Sequence, residues 1–165
     1  MFLKNDTSIR LAFGPVMTLR GALPAVSDVS DHFRMRWHEV TGETLEPASP
    51  TNAMGAVELQ VVRTVPESIY TATPRGDFRI LETYLRAFKA AQRFIYLENQ
   101  FLWSPEIANA LRAKLADPPD PDFRIVLLLP AKPNSGADDT RGVLAELIEA
   151  DHDAGRLLAC TLYAR

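Results

Sequence analysis

Arg93-Phe94-Ile95-Tyr96-Leu97-Glu98-Asn99-Gln100-Phe101-Leu102-Trp103 is the stretch whose reading decides the fold. A run rich in β-formers meets three polar residues, and Ser104-Pro105-Glu106 follows as a helix start. A continuous apolar run bounded in this way suits a central strand buried on both faces, as in parallel sheets. Ser104 can cap the next helix, and Pro105 suits its first turn, where no backbone N–H is needed. Glu98, Asn99 and Gln100 are therefore expected just past the carboxyl end of a strand, where open α/β sheets hold their ligands. The competing reading for Glu98 and Asn99 is a local one, satisfying loop backbone.

Outward from this strand the pattern alternates. Val57 to Thr64 reads as a strand, and Asp77 caps a helix with Ile80, Leu81, Tyr84, Leu85, Phe88 and Ala91 inward. After the central strand comes a helix from Pro105 to Leu115, with Ile107, Ala108, Leu111 and Leu115 inward. Asp117-Pro118-Pro119-Asp120-Pro121 breaks it. Arg124 to Leu129 is a second buried strand, Asp139 to Ala150 a helix, and Leu157 to Tyr163 a last strand. This order predicts an α/β fold, a mostly parallel sheet with right-handed crossovers and helices on both faces. The chain then stops at Arg165 with no helix to finish the unit, so the sequence reads as cut.

The amino-terminal part is less regular. Ser8 to Phe13 suits a short strand ended by Gly14-Pro15, and Gly21 marks another turn. Val29, Phe33, Trp37 and Val40 recur at helical spacing, with Ser27 or Asp28 as cap and Gly42 as stop. His32 and His38 lie six apart, a spacing that does not share a helix face, so they read as surface or boundary histidines rather than a metal pair. Residues 43–55, with Pro47 and Pro50, read as a linker or long loop between residues 1–42 and 56–165.

The totals narrow the function. A chain of 165 residues, 47% hydrophobic and 24% charged, can build a real core. A net charge of −3 argues against nucleic acid as the partner, although a local basic pocket is compatible with it. The single cysteine, Cys160, excludes an internal disulfide and a Cys-rich zinc site, and its apolar neighbours predict a buried, inert thiol. No apolar run approaches the ~20 residues of a membrane span. Residues 1–10 lack the apolar core of a signal peptide, so a soluble, cytoplasmic protein is the expectation.

In a parallel sheet the loops after the strands gather at one edge. Here that edge would collect Arg63 and Thr64, then Glu98, Asn99 and Gln100, then Lys132 through Arg141. A phosphoryl site needs cations for the ester oxygens, a nucleophile or base, and carboxylates to orient it. Arg63, Lys132 and Arg141 can supply charge, and Glu98, Asp138 and Asp139 can balance it; for Asp138 and Asp139 helix capping is the plainer role. Neither standard Gly-rich phosphate loop follows a strand, and no Ser sits in a G-x-S-x-G elbow. His152, in Asp151-His152-Asp153, reads as a turn histidine.

Three segments in order carry a resemblance. Gln60-Val61-Val62-Arg63-Thr64, Ile80-Leu81-Glu82-Thr83-Tyr84 and Phe94-Ile95-Tyr96-Leu97-Glu98-Asn99-Gln100-Phe101 resemble the middle of the phospholipase D superfamily, with its Q-V-x-R-[ST] and I-Y-[IL]-E-N-Q-[FY] segments. Gly14-Pro15 followed by Asp31-His32-Phe33-Arg34-Met35-Arg36-Trp37 resembles the segment after that family's first catalytic motif. The stretch between Pro15 and Asp31 looks longer than usual, as an insertion would be. The resemblance implies two α/β halves, each giving one H-x-K-x-x-x-x-D motif. One histidine attacks phosphorus, and the other protonates the leaving alcohol. It implies no cofactor and, in most members, no metal.

None of the three histidines here is followed by x-Lys. The resemblance thus places residues 1–42 as the tail of a first half and 56–165 as the start of a second, incomplete half, with the second motif expected beyond Arg165. It implies a fragment of a phosphodiesterase or transphosphatidylase, inactive alone, with no catalytic residue of its own and with Glu98, Asn99, Gln100 and Arg63 as substrate-pocket candidates. The implied partners are a phospholipid or other phosphodiester, a membrane surface touched peripherally, and the remainder of its own chain. The rival readings are a catalytically dead module that binds phosphate or a partner, and a generic Rossmann-like binding domain.

Overall fold

A computed structural model describes residues 2–3, 9–11, 24–47, 60–131 and 137–162. Within them the chain runs β1 (Phe2–Leu3), β2 (Ile9–Leu11), α1 (Pro24–Thr41), β3 (Thr64–Val65), β4 (Asp77–Phe78), α2 (Arg79–Ala90), β5 (Phe94–Glu98), α3 (Pro105–Ala116), β6 (Arg124–Leu128), α4 (Ala137–Asp151) and β7 (Leu157–Cys160). It divides into two units, Met1–Phe13 with Tyr84–Arg165, and Gly14–Thr83. Gly14-Pro15, Gly21, residues 48–59, Lys132 to Gly136 and Tyr163 lie outside the described residues.

The first unit is the α/β sheet that the central stretch predicts. Its strand order is β1-β2-β5-β6-β7; β2, β5, β6 and β7 run parallel, and β1 is antiparallel to β2. Ile95 pairs with Ile125 and Ile125 with Leu157, so the apolar positions come into line across the sheet. Ile95, Leu97, Ile125 and Leu127 are buried in one cluster with Ala87 and Phe88 of α2, Leu111 and Leu115 of α3, and Leu147 of α4. Each fully buried aliphatic or aromatic side chain of that kind stabilises the fold by about 1.5–3 kcal/mol.

The opposite face of the strands departs from the expectation of burial on both sides. Phe94, Tyr96, Val126, Leu128 and Leu158, which alternate with the buried residues, are half-buried or exposed. The cause is topological. Strands β5, β6 and β7 follow one another in a single direction, and right-handed crossovers then place α3 and α4 on the same face. The expected helices on both faces are therefore not met among the described residues of this unit. Cys160, on the outermost described strand, is exposed, which corrects the expected buried thiol.

Local chemistry sets the helix ends. Ser104 Oγ accepts from Ile107 N at 3.4 Å and caps α3, with Pro105 in its first turn. Lys114 ties α3 to the end of α2 through Nζ, which donates to Lys89 O at 3.1 Å and Ala91 O at 2.9 Å. Burial lowers the pKa of that ammonium.

In the second unit α1 begins at Pro24, ahead of the expected cap at Ser27 or Asp28, because proline itself suits a first turn. It stops as expected at Gly42, whose φ of 74° and N–H bond to His38 O at 2.8 Å form a left-handed cap. The strand expected over 57–64 is largely absent where the chain is described: Gln60 to Arg63 has no regular structure, and only Thr64–Val65 forms β3. β3 pairs antiparallel with β4, Thr64 opposite Phe78 and Val65 opposite Asp77. Gly76 makes that approach possible: φ is 71°, and a Cβ there would lie 2.6 Å from Val65 O.

Candidate functional site

Glu98, Asn99 and Gln100 leave the sheet where the sequence places them. Glu98 ends β5, Asn99 N donates to Leu128 O at 3.1 Å, and all three side chains are exposed. Tyr96, two residues before Glu98 and on the same face, donates through its hydroxyl to Glu98 Oε2 at 3.1 Å. Phe101 and Trp103 stack with ring centroids 4.5 Å apart, and Trp103 is 48% exposed. Leu102 between them is buried, and its N–H donates to Thr140 Oγ1 at 3.3 Å. The aromatic pair thus flanks the polar run while Leu102 anchors it.

Lys132 lies outside the described residues; Asp139 and Arg141 are exposed on α4, and the Asp138 side chain is outside the described set. His152 is exposed in the turn after α4, where both it and Asp153 take positive φ, 49° and 57°. Asp151, which the sequence sets beside it, is buried and engaged elsewhere: its carboxylate accepts from Arg156 N and Leu157 N. It therefore sets the turn into β7.

Arg63 belongs to the second unit, and there it sits in a charge network. Its Nε donates to Asp77 Oδ2 at 2.8 Å, and its Nη1 lies 3.3 Å from His32 Nδ1. Arg79 closes on the same carboxylate from the other side, with Nε 2.8 Å from Oδ1 and Nη2 2.5 Å from Oδ2. The Asp77 side chain is only 11% exposed and that of Arg63 25%. Hydrogen bonds from Arg79 first and Arg63 second hold the Asp77 carboxyl far below the usual carboxylate range. Arg79 is correspondingly raised by Asp77.

Protonation of His32 is disfavoured in two ways. Burial lowers its pKa most, then the charges of Arg63 and Arg36, against a smaller opposing pull from Asp77. A guanidinium can only donate, so Nδ1 must accept from Arg63, and the ring proton stands on Nε2. Sequence reasoning found Arg63 but missed Asp77 as its partner and dismissed His32. The signal for Asp77 was the Arg-Gly-Asp turn at 75–77, which reads as a reversal that brings a carboxylate back along the chain.

Two open cavities of about 520 Å³ lie apart from these residues. One is in the second unit beside Met35, His38, Glu39 and Thr71; the other lies between α3 and α4 beside Arg112, Glu146 and His152. Their polar groups are partly engaged already. Glu39 accepts from Thr71 Oγ1 and Ala72 N, and Arg112 Nη1 is 3.4 Å from Glu146 Oε2. Among the described residues no group of three His, Cys, Asp or Glu is placed to hold a metal ion, and no helix is long and apolar enough to cross a membrane. Neither a scan against protein-family models nor a search of curated proteins gives a match.

Proposed function

We propose that this chain is part of a phospholipase D-like phosphodiesterase or transphosphatidylase acting on phospholipids through a phosphohistidine intermediate. The reading rests on the ordered segments from Gln60 to Phe101. The observation that carries it is the exit of Glu98, Asn99 and Gln100 from the carboxyl end of a parallel strand. There an acceptor carboxylate and two amides can brace a phosphoryl pocket. The nucleophile and acid come from H-x-K motifs that this sequence does not contain, so the chain by itself turns nothing over.

Two measurements test this. Sequencing the encoding gene on both sides of the reading frame should find one H-x-K-x-x-x-x-D motif in frame upstream and one downstream; neither flank carrying one refutes the enzyme reading. A phosphatidylcholine hydrolysis assay on the chain itself should give only the blank rate. Turnover that disappears in His152→Ala would overturn the assignment of the chemistry to other residues.

A further inference from the structure

In the second unit three side chains with hydrogen-bond donors to spare, His32, Arg36 and Arg63, lie near one another. His32 and Arg36 are four residues apart on α1 and so share a helix face. Arg63 is brought to the same place, its Nη1 3.3 Å from His32 Nδ1. Asp77 spends its carboxylate on Arg63 Nε and on the Arg79 fork, which fixes the Arg63 guanidinium and leaves Nη2 without a described acceptor. Arg36 has no carboxylate partner among the described residues and is exposed. The imidazole presents Nε2–H, because its other nitrogen is taken. An imidazole donor thus has two permanent positive charges about it, Arg63 at 3.3 Å and Arg36 near enough for its charge to act on the ring.

We propose that His32, Arg36 and Arg63 form a binding site for a phosphate group, with Asp77 as the positioning residue that aims Arg63. A phosphate offers several acceptor oxygens and up to two negative charges, which a donor-only cluster of guanidinium and imidazole complements. Asp77 does not occupy the free donors, since its oxygens are taken by Arg63 and Arg79, and Asp28 and Glu82 act on Arg79 rather than on His32. The groups facing His32 are Arg36 on its own helix, Arg63 before β3 and Asp77 on β4. The phosphate can be free or carried by a lipid headgroup, because both present the same oxygens. This site stands independently of the reading of Glu98, Asn99 and Gln100, which lie in the other unit.

The test follows the His32 ring by proton NMR titration of the whole chain, with and without inorganic phosphate. An anion bound beside the ring favours imidazolium, and we expect the apparent pKa to rise by about one unit, tenfold in proton affinity. Arg36→Gln should abolish the rise; it removes an exposed residue without a described partner, and far-UV circular dichroism checks that α1 persists. In parallel, the chain and Arg36→Gln are sedimented with phosphatidylcholine vesicles containing phosphatidic acid. A phosphate-induced shift lost in Arg36→Gln supports a site for free phosphate. No shift, but Arg36-dependent sedimentation, supports the same site for a lipid-borne phosphate. Neither effect, or effects that survive Arg36→Gln, overturns the proposal.

Discussion

Asp77→Asn should unpin the second unit, and its cost can be worked from the bonds it alters. The carboxylate takes Arg63 Nε at 2.8 Å, Arg79 Nε at 2.8 Å and Arg79 Nη2 at 2.5 Å, with only 11% of the side chain exposed. Asparagine keeps the shape but has one acceptor oxygen and turns an NH₂ toward a guanidinium. Hydrogen bonds to charged groups are each worth about 1.5–3 kcal/mol, and the partly exposed Arg79 recovers some of its loss in water, so a net loss of about 2–3 kcal/mol is expected. For a unit of this size that lowers the melting temperature by roughly 10–20 °C. Trp37 lies in this unit and Trp103 in the other, so fluorescence in a Trp103→Phe background reports the second unit alone. The pH dependence supplies the sign. The folded pKa of Asp77 is depressed, so its stabilisation is fully present above the unfolded carboxylate value of about 4 and fades as pH falls below it. The wild-type and Asp77→Asn melting curves should therefore converge in acid. A gap as wide at pH 3 as at pH 7 would refute the electrostatic origin, and no gap at pH 7 would refute the network.

Gly76→Ala should cost about 2–4 kcal/mol, since it forces a side chain into positive φ and drives a Cβ to 2.6 Å from Val65 O; chemical denaturation followed by Trp37 measures it. Leu111→Ala empties a position with 0% exposure in the core of the first unit and should cost about 2–5 kcal/mol, read from the Trp103 transition. Cys160 should react stoichiometrically with a thiol reagent in the native state; protection until unfolding would contradict its exposed position.

The elements that sequence foresaw are those with long, self-contained patterns. α3 declares itself through Ser104, Pro105 and a regular apolar stripe, and β5 and β6 through apolar runs closed by polar or proline residues. Those signals fix which segments are helix and strand, but not what covers them. The run at 94–97 suggested burial on both faces, yet Tyr96 keeps its hydroxyl on Glu98 and stays partly open, as an amphipathic aromatic can. Where pattern lacked a partner it misled. The alternation at 57–64 suits a strand by composition, but strand propensity measures fit to a neighbouring strand, and only Thr64–Val65 finds one. Along α1 the regular stripe of Val29, Phe33, Trp37 and Val40 is exposed, with Val40 at 82%, while His32 and Glu39, beside that stripe, reach Arg63 and Thr71. Helical period gives the stripe but not the side that packs. The Arg63–Asp77 pair was illegible for a different reason: fourteen residues and the Gly76 turn separate the partners, and no local pattern links them.

The geometry around His32 also decides what that residue cannot do. A histidine that attacks phosphorus or takes a proton needs a free ring lone pair facing its target. In His32 the Nδ1 lone pair accepts from Arg63 Nη1, and Nε2 carries the proton, so the neutral ring has no lone pair to offer while that bond holds. Breaking the bond would leave Arg63 Nη1 without its acceptor beside the ring, and the neighbouring charges of Arg63 and Arg36 already oppose protonation. The arrangement therefore suits holding an anion and resists both nucleophilic and basic roles. Glu98, Asn99 and Gln100 offer the converse set, a carboxylate and two amides with no nucleophile among them. Under the proposed phosphodiesterase reading, each unit would present part of a phosphoryl site, and neither set offers a nucleophilic histidine. On that reading, binding and bracing are the roles open to these side chains, because neither set holds a free nucleophile.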